Sequence, residues 1–223
     1  HMSFFYDLKV EGHEDKRYAK FMNSFLGRMS KEQRQAWDAA YGPKNKAFLN
    51  ADLKGKELVR WKYQRYVKDY LRCVAAVDDG IGRILETLDK LDLSENSLVI
   101  YSSDQGFYLG EHGWYDKRWI YEESLKMPLV MRWPEKIKPG TIVKKLTQNI
   151  DFAPFFLEAA EAEVPEEIQG MSLMPLFNKP NPKWRNAIYY HYYEAGGHGV
   201  PAHYGIRDER YKLMHFPRTD EWN

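Results

Sequence analysis

A single cysteine, Cys73, occurs in 223 residues, so the chain can form neither an internal disulfide nor a cysteine-rich metal site. No run of about 18 apolar residues is present, so no membrane span is expected. An excess of one charge is also lacking. The 33 Lys and Arg balance 32 Asp and Glu to a formal +1, which marks the protein neither as a nucleic-acid binder nor as a membrane-surface binder. Internal repeats and low-complexity tracts are absent too. What remains is 43% hydrophobic and 15% aromatic material, enough for a sizeable core in one large domain or a domain plus a smaller one. Function must therefore lie in local sites.

The start, His1-Met2-Ser3, reads as the scar of a cleaved expression tag over residues 1–2, so the chain is expected to begin partway through a longer protein. Helices are expected over residues 17–29 and 31–41. Ser30, with Gln33 three residues on, offers a capping box for the second, and Gly42-Pro43 is expected to end it. Val67, Leu71, Val74, Val77, Ile81, Ile84, Leu85 and Leu88 recur at helical spacing, predicting one long helix over 56–91.

Residues 97–102 then read as a buried strand, making with that helix half of a βαβ-type unit. A short helix over 120–125, strands over 128–133 and 143–149, and a helix capped by Asp151 and running to about Ala162 follow. The composition changes at residues 178–182. Beyond it, strands over 187–193, 204–207 and 210–216, with a turn at Asp208-Glu209, predict a small antiparallel subdomain over 181–223. The ending Glu221-Trp222-Asn223 has no helix cap or polar tail, so truncation is expected there as well. The fold class expected is α/β, part of a mixed sheet flanked by helices over residues 3–180, plus that small sheet.

Chemistry concentrates in residues 102–117, SSDQGFYLGEHGWYDK, directly after the first strand, where ligand sites of open α/β sheets form. Asp104 and Gln105 offer a carboxylate and an amide carbonyl, hard oxygen donors suited to calcium or magnesium. An Asp-Gln-Gly turn explains the same letters. His112, between glycines, reads either as an incidental surface histidine or as a proton donor or anion ligand. Lys117 reads either as a solvated charge or as the cation that neutralises a sulfate or phosphate beside a divalent ion. Further on, residues 196–204 join two strands and carry His198 and His203. They form either a plain hairpin loop or, with Tyr192, Tyr193 and Tyr204, a sugar-binding surface.

Ser103-Asp104-Gln105-Gly106, Leu109-Gly110-Glu111-His112-Gly113, Lys117, Tyr121-Glu122-Glu123-Ser124 and Pro128-Leu129 together resemble the formylglycine-dependent sulfatases, a family of alkaline-phosphatase-like fold. The likeness extends through Asp151-Phe152-Ala153-Pro154, Gly170-Met171-Ser172-Leu173 and Arg210-Tyr211-Lys212-Leu213, covering nearly all of residues 66–213. It implies a calcium ion held partly by Asp104 and Gln105, a sulfate ester contacted by Lys117, and His112 beside the scissile oxygen or in the substrate pocket. Gln105 departs from the Asn or His often found there, yet its amide oxygen can still coordinate.

The resemblance also exposes two absences. The family's formylglycine arises in a Cys/Ser-x-Pro/Ala-x-Arg motif, and neither Cys73, followed by Val74-Ala75-Ala76, nor any serine here begins one. The paired aspartates that complete the calcium site are missing as well. Asp78-Asp79 matches them only in letters, because neighbours in mid-helix point about 100 degrees apart. The chain is thus expected to be the C-terminal part of a sulfatase catalytic domain, inactive alone. Its expected partner is a sulfated carbohydrate of glycosaminoglycan type, and the family suggests a periplasmic or secreted location. Two alternatives stand beside this: a phosphodiesterase or phosphonate hydrolase of the same superfamily, and a catalytically silent sugar-binding module. Oligomeric state is not legible in the sequence.

Overall fold

A computed structural model describes residues 8–194 and 197–222. The chain divides into two units, residues 1–76 with 109–115, and 77–108 with 116–223.

In the first unit, α1 (Lys16–Leu26) starts where the Asp15 carboxylate accepts from the amides of Arg17 and Tyr18. Helix α2 (Lys31–Asn50) opens with the expected capping box: the Gln33 amide donates to Ser30 Oγ at 3.2 Å and the Ser30 amide to Gln33 Oε1 at 2.8 Å. It does not stop at Gly42-Pro43. Proline in a helix interior costs about 3 kcal/mol, and the turns beyond Pro43 are held by packing instead. Phe48 stacks on Trp61 at 3.8 Å, and buried Asn45 accepts from Arg65 Nη1 at 2.9 Å. Trp61 and Arg65 lie on α3 (Gly55–Lys90), the single long helix that the periodicity predicts; its residues to Ala76 belong to the first unit and the rest to the second. Asp78 and Asp79 are exposed in its middle.

The second unit carries β1 (Val99–Ser102), which pairs with β4 (Leu129–Arg132) in an antiparallel register from Val99↔Arg132 to Ser102↔Leu129. Between them in sequence lie the two-residue strands β2 (Tyr108–Leu109) and β3 (Tyr115–Asp116), whose residues Leu109 and Tyr115 count to the first unit, and the single-turn helix α4 (Glu122–Leu125). Helices α5 (Phe152–Ala159) and α6 (Pro175–Asn178) follow. Residues 143–149, expected as a strand, form no ladder. Instead the Leu146 carbonyl accepts from Trp184 Nε1 at 2.7 Å and from Arg185 Nη1 at 3.3 Å, so side chains satisfy the backbone there.

Asp151 also departs from expectation. Its carboxylate caps no α5 amide; fully buried, it accepts from the amides of Gln148 (2.8 Å) and Met171 (2.9 Å) and takes a two-pronged ion pair from Arg185, with Nη2 at 2.6 Å. Gly170 lies so close to this junction that a Cβ would stand 1.9 Å from the Ile150 carbonyl oxygen.

The C-terminal sheet is four-stranded and antiparallel in the order β5 (Ala187–Tyr192), β6 (His203–Asp208), β7 (Lys212–Phe216), β8 (Glu221–Trp222). Sequence patterning marks the first three; β8 is too short to carry an alternation. Asp208 Oδ1 accepts the Arg210 amide at 2.7 Å, fixing the turn expected at Asp208-Glu209. Ile120, Phe155, Leu173, Val200 and Met214 are buried in this unit. Gly205 is required on β6, because a Cβ would come within 2.9 Å of Ile120 Cδ1 and 2.4 Å of the Leu213 carbonyl oxygen. The segment after β3 is thereby seated on the sheet.

Candidate active site

The loop after β1 is shaped by what Gly106 touches. A Cβ there would lie 2.1 Å from the Glu123 carbonyl oxygen, 2.8 Å from that of Lys126 and 2.9 Å from that of Ser124, so only glycine lets the loop approach α4. The Gly106 amide donates to the Ser124 carbonyl at 2.8 Å, and the Ser124 hydroxyl donates to the Lys117 carbonyl at 2.7 Å. One buried serine therefore ties down both the Asp104-Gln105 end of the loop and Lys117. The Lys117 ammonium lies 5.8 Å from the centre of the Phe107 ring, within cation–π range.

Asp104 is exposed and Gln105 half-buried, and their backbone is pinned on two sides. Asn149 Nδ2 donates to the Asp104 carbonyl at 2.7 Å, and the Ser103 hydroxyl donates to the Gln105 carbonyl at 2.9 Å. Among the described residues the Asp104 carboxylate has only a share of that same Ser103 hydroxyl, at 3.3 Å, which leaves its oxygens open to a cation. Two hard oxygen donors suit calcium in kind, although calcium takes about 6 to 8 oxygens. Among the described residues no group of three or more His, Cys, Asp or Glu is arranged for a metal ion. Asp104 and Gln105 therefore fit as part of a calcium site.

A cleft of about 360 Å³ opens beside this loop, lined by Ser102 and Asn149, by Lys126, Lys144 and Lys145, and by Glu122 and Arg207. Burial alone would push the Glu122 carboxyl up. Hydrogen bonds from Arg207 (3.1 and 3.0 Å) and Lys212 (3.0 Å) outweigh it and hold that carboxyl below the usual range. The one acid of the cleft is thus already neutralised, and its three lysines leave it cationic.

The expected histidines fall in different surroundings. His112 belongs to the first unit, exposed on a three-residue turn with φ of 59°, a left-handed conformation uncommon outside glycine, with its ring 5.3 Å from Trp114. His198 is exposed on a similar turn, also at φ 59°; residues 195–196 of its loop lie outside the described residues. His203 does not reach a ligand surface. It is fully buried on β6, stacked on Trp119 at 5.2 Å, with Nδ1 2.9 Å from the Pro201 carbonyl. Burial pushes its pKa below the ordinary 6.5. The alternation along β6 points His203 and Gly205 to the same face, and both are buried there. Of the aromatic neighbours expected around a sugar, Tyr193 is 77% exposed.

Comparison with known proteins defines the class. A family model for sulfatases matches residues 5–162, and one for the C-terminal part of N-sulphoglucosamine sulphohydrolase matches residues 110–223. The chain is 47% identical to an N-acetylglucosamine-6-O-sulfatase of Bacteroides thetaiotaomicron, over 97% of this chain and 40% of that protein. A structure solved in complex with its substrate D-glucosamine-2-N,6-O-disulfate superposes with a TM-score of 0.88 at 46% identity, covering 99% of this chain and 47% of the other. A phosphonate monoester hydrolase from Silicibacter pomeroyi reaches a TM-score of 0.64 at 26% identity, over 78% of this chain and 36% of its own. Fold and matches together define an α/β chain of the alkaline-phosphatase-like superfamily. Within it, the chain belongs to the sulfatase family, whose members generally use calcium and formylglycine. It spans about 40% of the curated relative's length. Among the described residues, no helix is long and apolar enough to cross a membrane.

Sequence reasoning missed Ser124 and Asn149. Ser124 was within sight as part of the Tyr121-Glu122-Glu123-Ser124 run; Asn149 carried no local signal, since its partner Asp104 is 45 residues away.

Proposed function

We propose that this chain is the part of a longer sulfatase that holds the sulfate group of a sulfated sugar, of glycosaminoglycan type, while the ester is hydrolysed. The observation that carries this reading is the double tie of Ser124 to Gly106 and Lys117, which holds the backbone just after Asp104-Gln105 and the backbone of Lys117 to the same single-turn helix. Asp104 and Gln105 would hold part of a calcium ion, whose charge, when bound, polarises a sulfate oxygen. Lys117 neutralises a non-bridging oxygen and the charge that grows on it as the ester bond breaks. His112 is assigned the proton of the leaving oxygen on its motif alone. No Cys/Ser-x-Pro/Ala-x-Arg sequence occurs in the chain, so the nucleophile belongs to sequence outside it.

On the substrate side, the likeness to an N-acetylglucosamine-6-O-sulfatase and to a structure holding D-glucosamine-2-N,6-O-disulfate as its substrate supports a sulfated glucosamine unit. The cationic cleft with Lys126, Lys144 and Lys145 suits an anionic sugar. Exposed His198 and Tyr193 offer a hydrogen-bonding edge and a stacking face. A periplasmic or secreted location fits such a polymeric substrate; cell fractionation that leaves all activity in the cytoplasm would count against it.

The test is Lys117→Ala in the full-length protein. Loss of one preorganised charge contact is expected to lower kcat/KM for an aryl sulfate by about 100- to 1,000-fold. A change under about twofold, far less than any such contact supplies, would sink the reading. The likeness to a phosphonate monoester hydrolase supports a second reading, hydrolysis of phosphonate or phosphate diesters. Assaying an aryl sulfate against an aryl phosphonate monoester separates the two by the larger kcat/KM.

A further inference from the structure

Three consecutive backbone carbonyls in this site are each capped by a side-chain hydroxyl from a different element. The Lys117 carbonyl accepts from Ser124 Oγ of α4 at 2.7 Å, that of Arg118 from Tyr190 OH of β5 at 2.9 Å, and that of Trp119 from Tyr108 OH of β2 at 3.3 Å. The donors stand 7, 72 and 11 residues away in sequence, so no local turn explains the arrangement. Tyr108 and Ser124 are buried, which shields their bonds from water. Just before this run, Asp116 adopts φ of 104°, strained for a residue with a Cβ, while its 4% exposed carboxylate pairs with the Arg118 guanidinium. Strain of this kind persists only where the surroundings over-determine the backbone, and it gathers at functional sites. Trp119 adds a ring stacked on buried His203, and Ile120 is locked against Gly205.

A lysine has a long, flexible side chain rich in rotamers, so a fixed ammonium requires a fixed backbone beneath it. We propose that Ser124, Tyr190 and Tyr108 are positioning residues that act through Lys117: their hydroxyls lock residues 117–119 so that the ammonium is preorganised for a sulfate oxygen as charge develops. This rests on the assignment of Lys117 above. The clamp draws on α4 and on the C-terminal sheet, and it gives that sheet a part in catalysis without a direct contact to the reacting group. Each hydroxyl can be removed almost without change of shape.

The experiment is a double-mutant cycle in the full-length enzyme. Tyr190→Phe and Ser124→Ala are each expected to lower kcat for an aryl sulfate about fivefold to tenfold, the range for one lost hydrogen bond, with KM changed less than about twofold. In a Lys117→Ala background the same substitutions should cause no further loss, because the group they position is gone. Equal losses in both backgrounds would show that the hydroxyls act elsewhere and overturn the clamp while leaving the sulfate reading intact. Lys117→Ala that leaves turnover unchanged would overturn both. Amide hydrogen exchange on the full-length enzyme supplies a readout independent of activity: Tyr190→Phe should speed exchange at residues 117–119, and unchanged protection there also overturns the proposal.

Discussion

The hydroxyl of Ser124 donates to the carbonyl of Lys117 at 2.7 Å, while the carbonyl of the same serine accepts the Gly106 amide at 2.8 Å. A four-residue helix has little stability of its own. Here α4 is held by what it holds: Gly106 and Lys117 on one side, and on the other Glu122, gripped by Arg207 and Lys212. The oxygen-donor end of the loop, its cation and the C-terminal sheet are thereby coupled mechanically. This coupling makes small substitutions at α4 informative.

Gly106→Ala is the sharpest of these. The added methyl meets three backbone oxygens at 2.1, 2.8 and 2.9 Å, none of which can rotate away. Overpacking of this kind costs about 1–3 kcal/mol, and the rigidity of the neighbours puts the expected loss at the upper end. Denaturant unfolding of the chain should show it, with the midpoint lowered and the slope unchanged. A loss under about 0.5 kcal/mol, the level of an ordinary surface substitution, would mean that the loop does not need this approach.

The Asp151–Arg185 pair anchors the junction between the strand-side loop and the C-terminal sheet. Asp151 is fully buried and its oxygens also accept two backbone amides. Removing one partner of a buried pair leaves the other charge unpaired, at a cost of about 3–5 kcal/mol. Arg185→Met should therefore destabilise strongly, and Asp151→Asn combined with Arg185→Met should recover part of the loss because no bare charge remains. Thermal unfolding of Arg185→Met and of the double variant measures this; a double variant less stable than Arg185→Met alone would contradict it.

Much of this was legible in the sequence, and the failures have physical causes. The Ser30 capping box, the long helix and three of the four C-terminal strands follow from local pattern, and they occur. Helix α2 runs through Pro43 because Phe48 and Asn45 find partners on α3, a tertiary gain no local rule contains. Asp151 reads as a helix cap by its letters, yet its partners are 3, 20 and 34 residues away. His203 sits beside glycines and tyrosines that suggest a sugar surface, but strand alternation turns it inward onto Trp119. In the candidate site, the loop of Asp104, Gln105 and Lys117 was recognisable from its residues. The hydroxyls that hold it were not, because each reaches it through the fold.

His203 should make stability depend on pH. Burial disfavours its charged form, so the folded value lies below 6.5. Above pH 6.5 the ring is neutral in folded and unfolded chains alike, and the contribution to stability is complete. As the pH falls from 6.5 toward the lowered folded value, the unfolded chain takes up the proton first, and stability declines. Below the folded value this loss stops growing. The expected observation is a Tm that drops on acidification through that window, together with a His203 ring resonance that titrates below 6.5. A resonance titrating at or above 6.5 would contradict the buried, neutral assignment.

The isolated 223-residue chain should neither turn over an aryl sulfate nor bind calcium tightly. Turnover needs a nucleophile, and the Cys/Ser-x-Pro/Ala-x-Arg motif from which the family makes one does not occur in this sequence; Cys73 lies inside α3. Calcium needs about 6 to 8 oxygens, and complete but weak extracellular sites reach only about 10⁻⁴–10⁻³ M. Asp104 and Gln105 with water filling the remaining positions should bind more weakly than about 10⁻³ M. Calorimetry of the chain with calcium, repeated on Asp104→Asn, measures this directly. A micromolar site abolished by that substitution would show that the chain holds a complete metal centre, and turnover by the isolated chain would require a nucleophile of another kind within it.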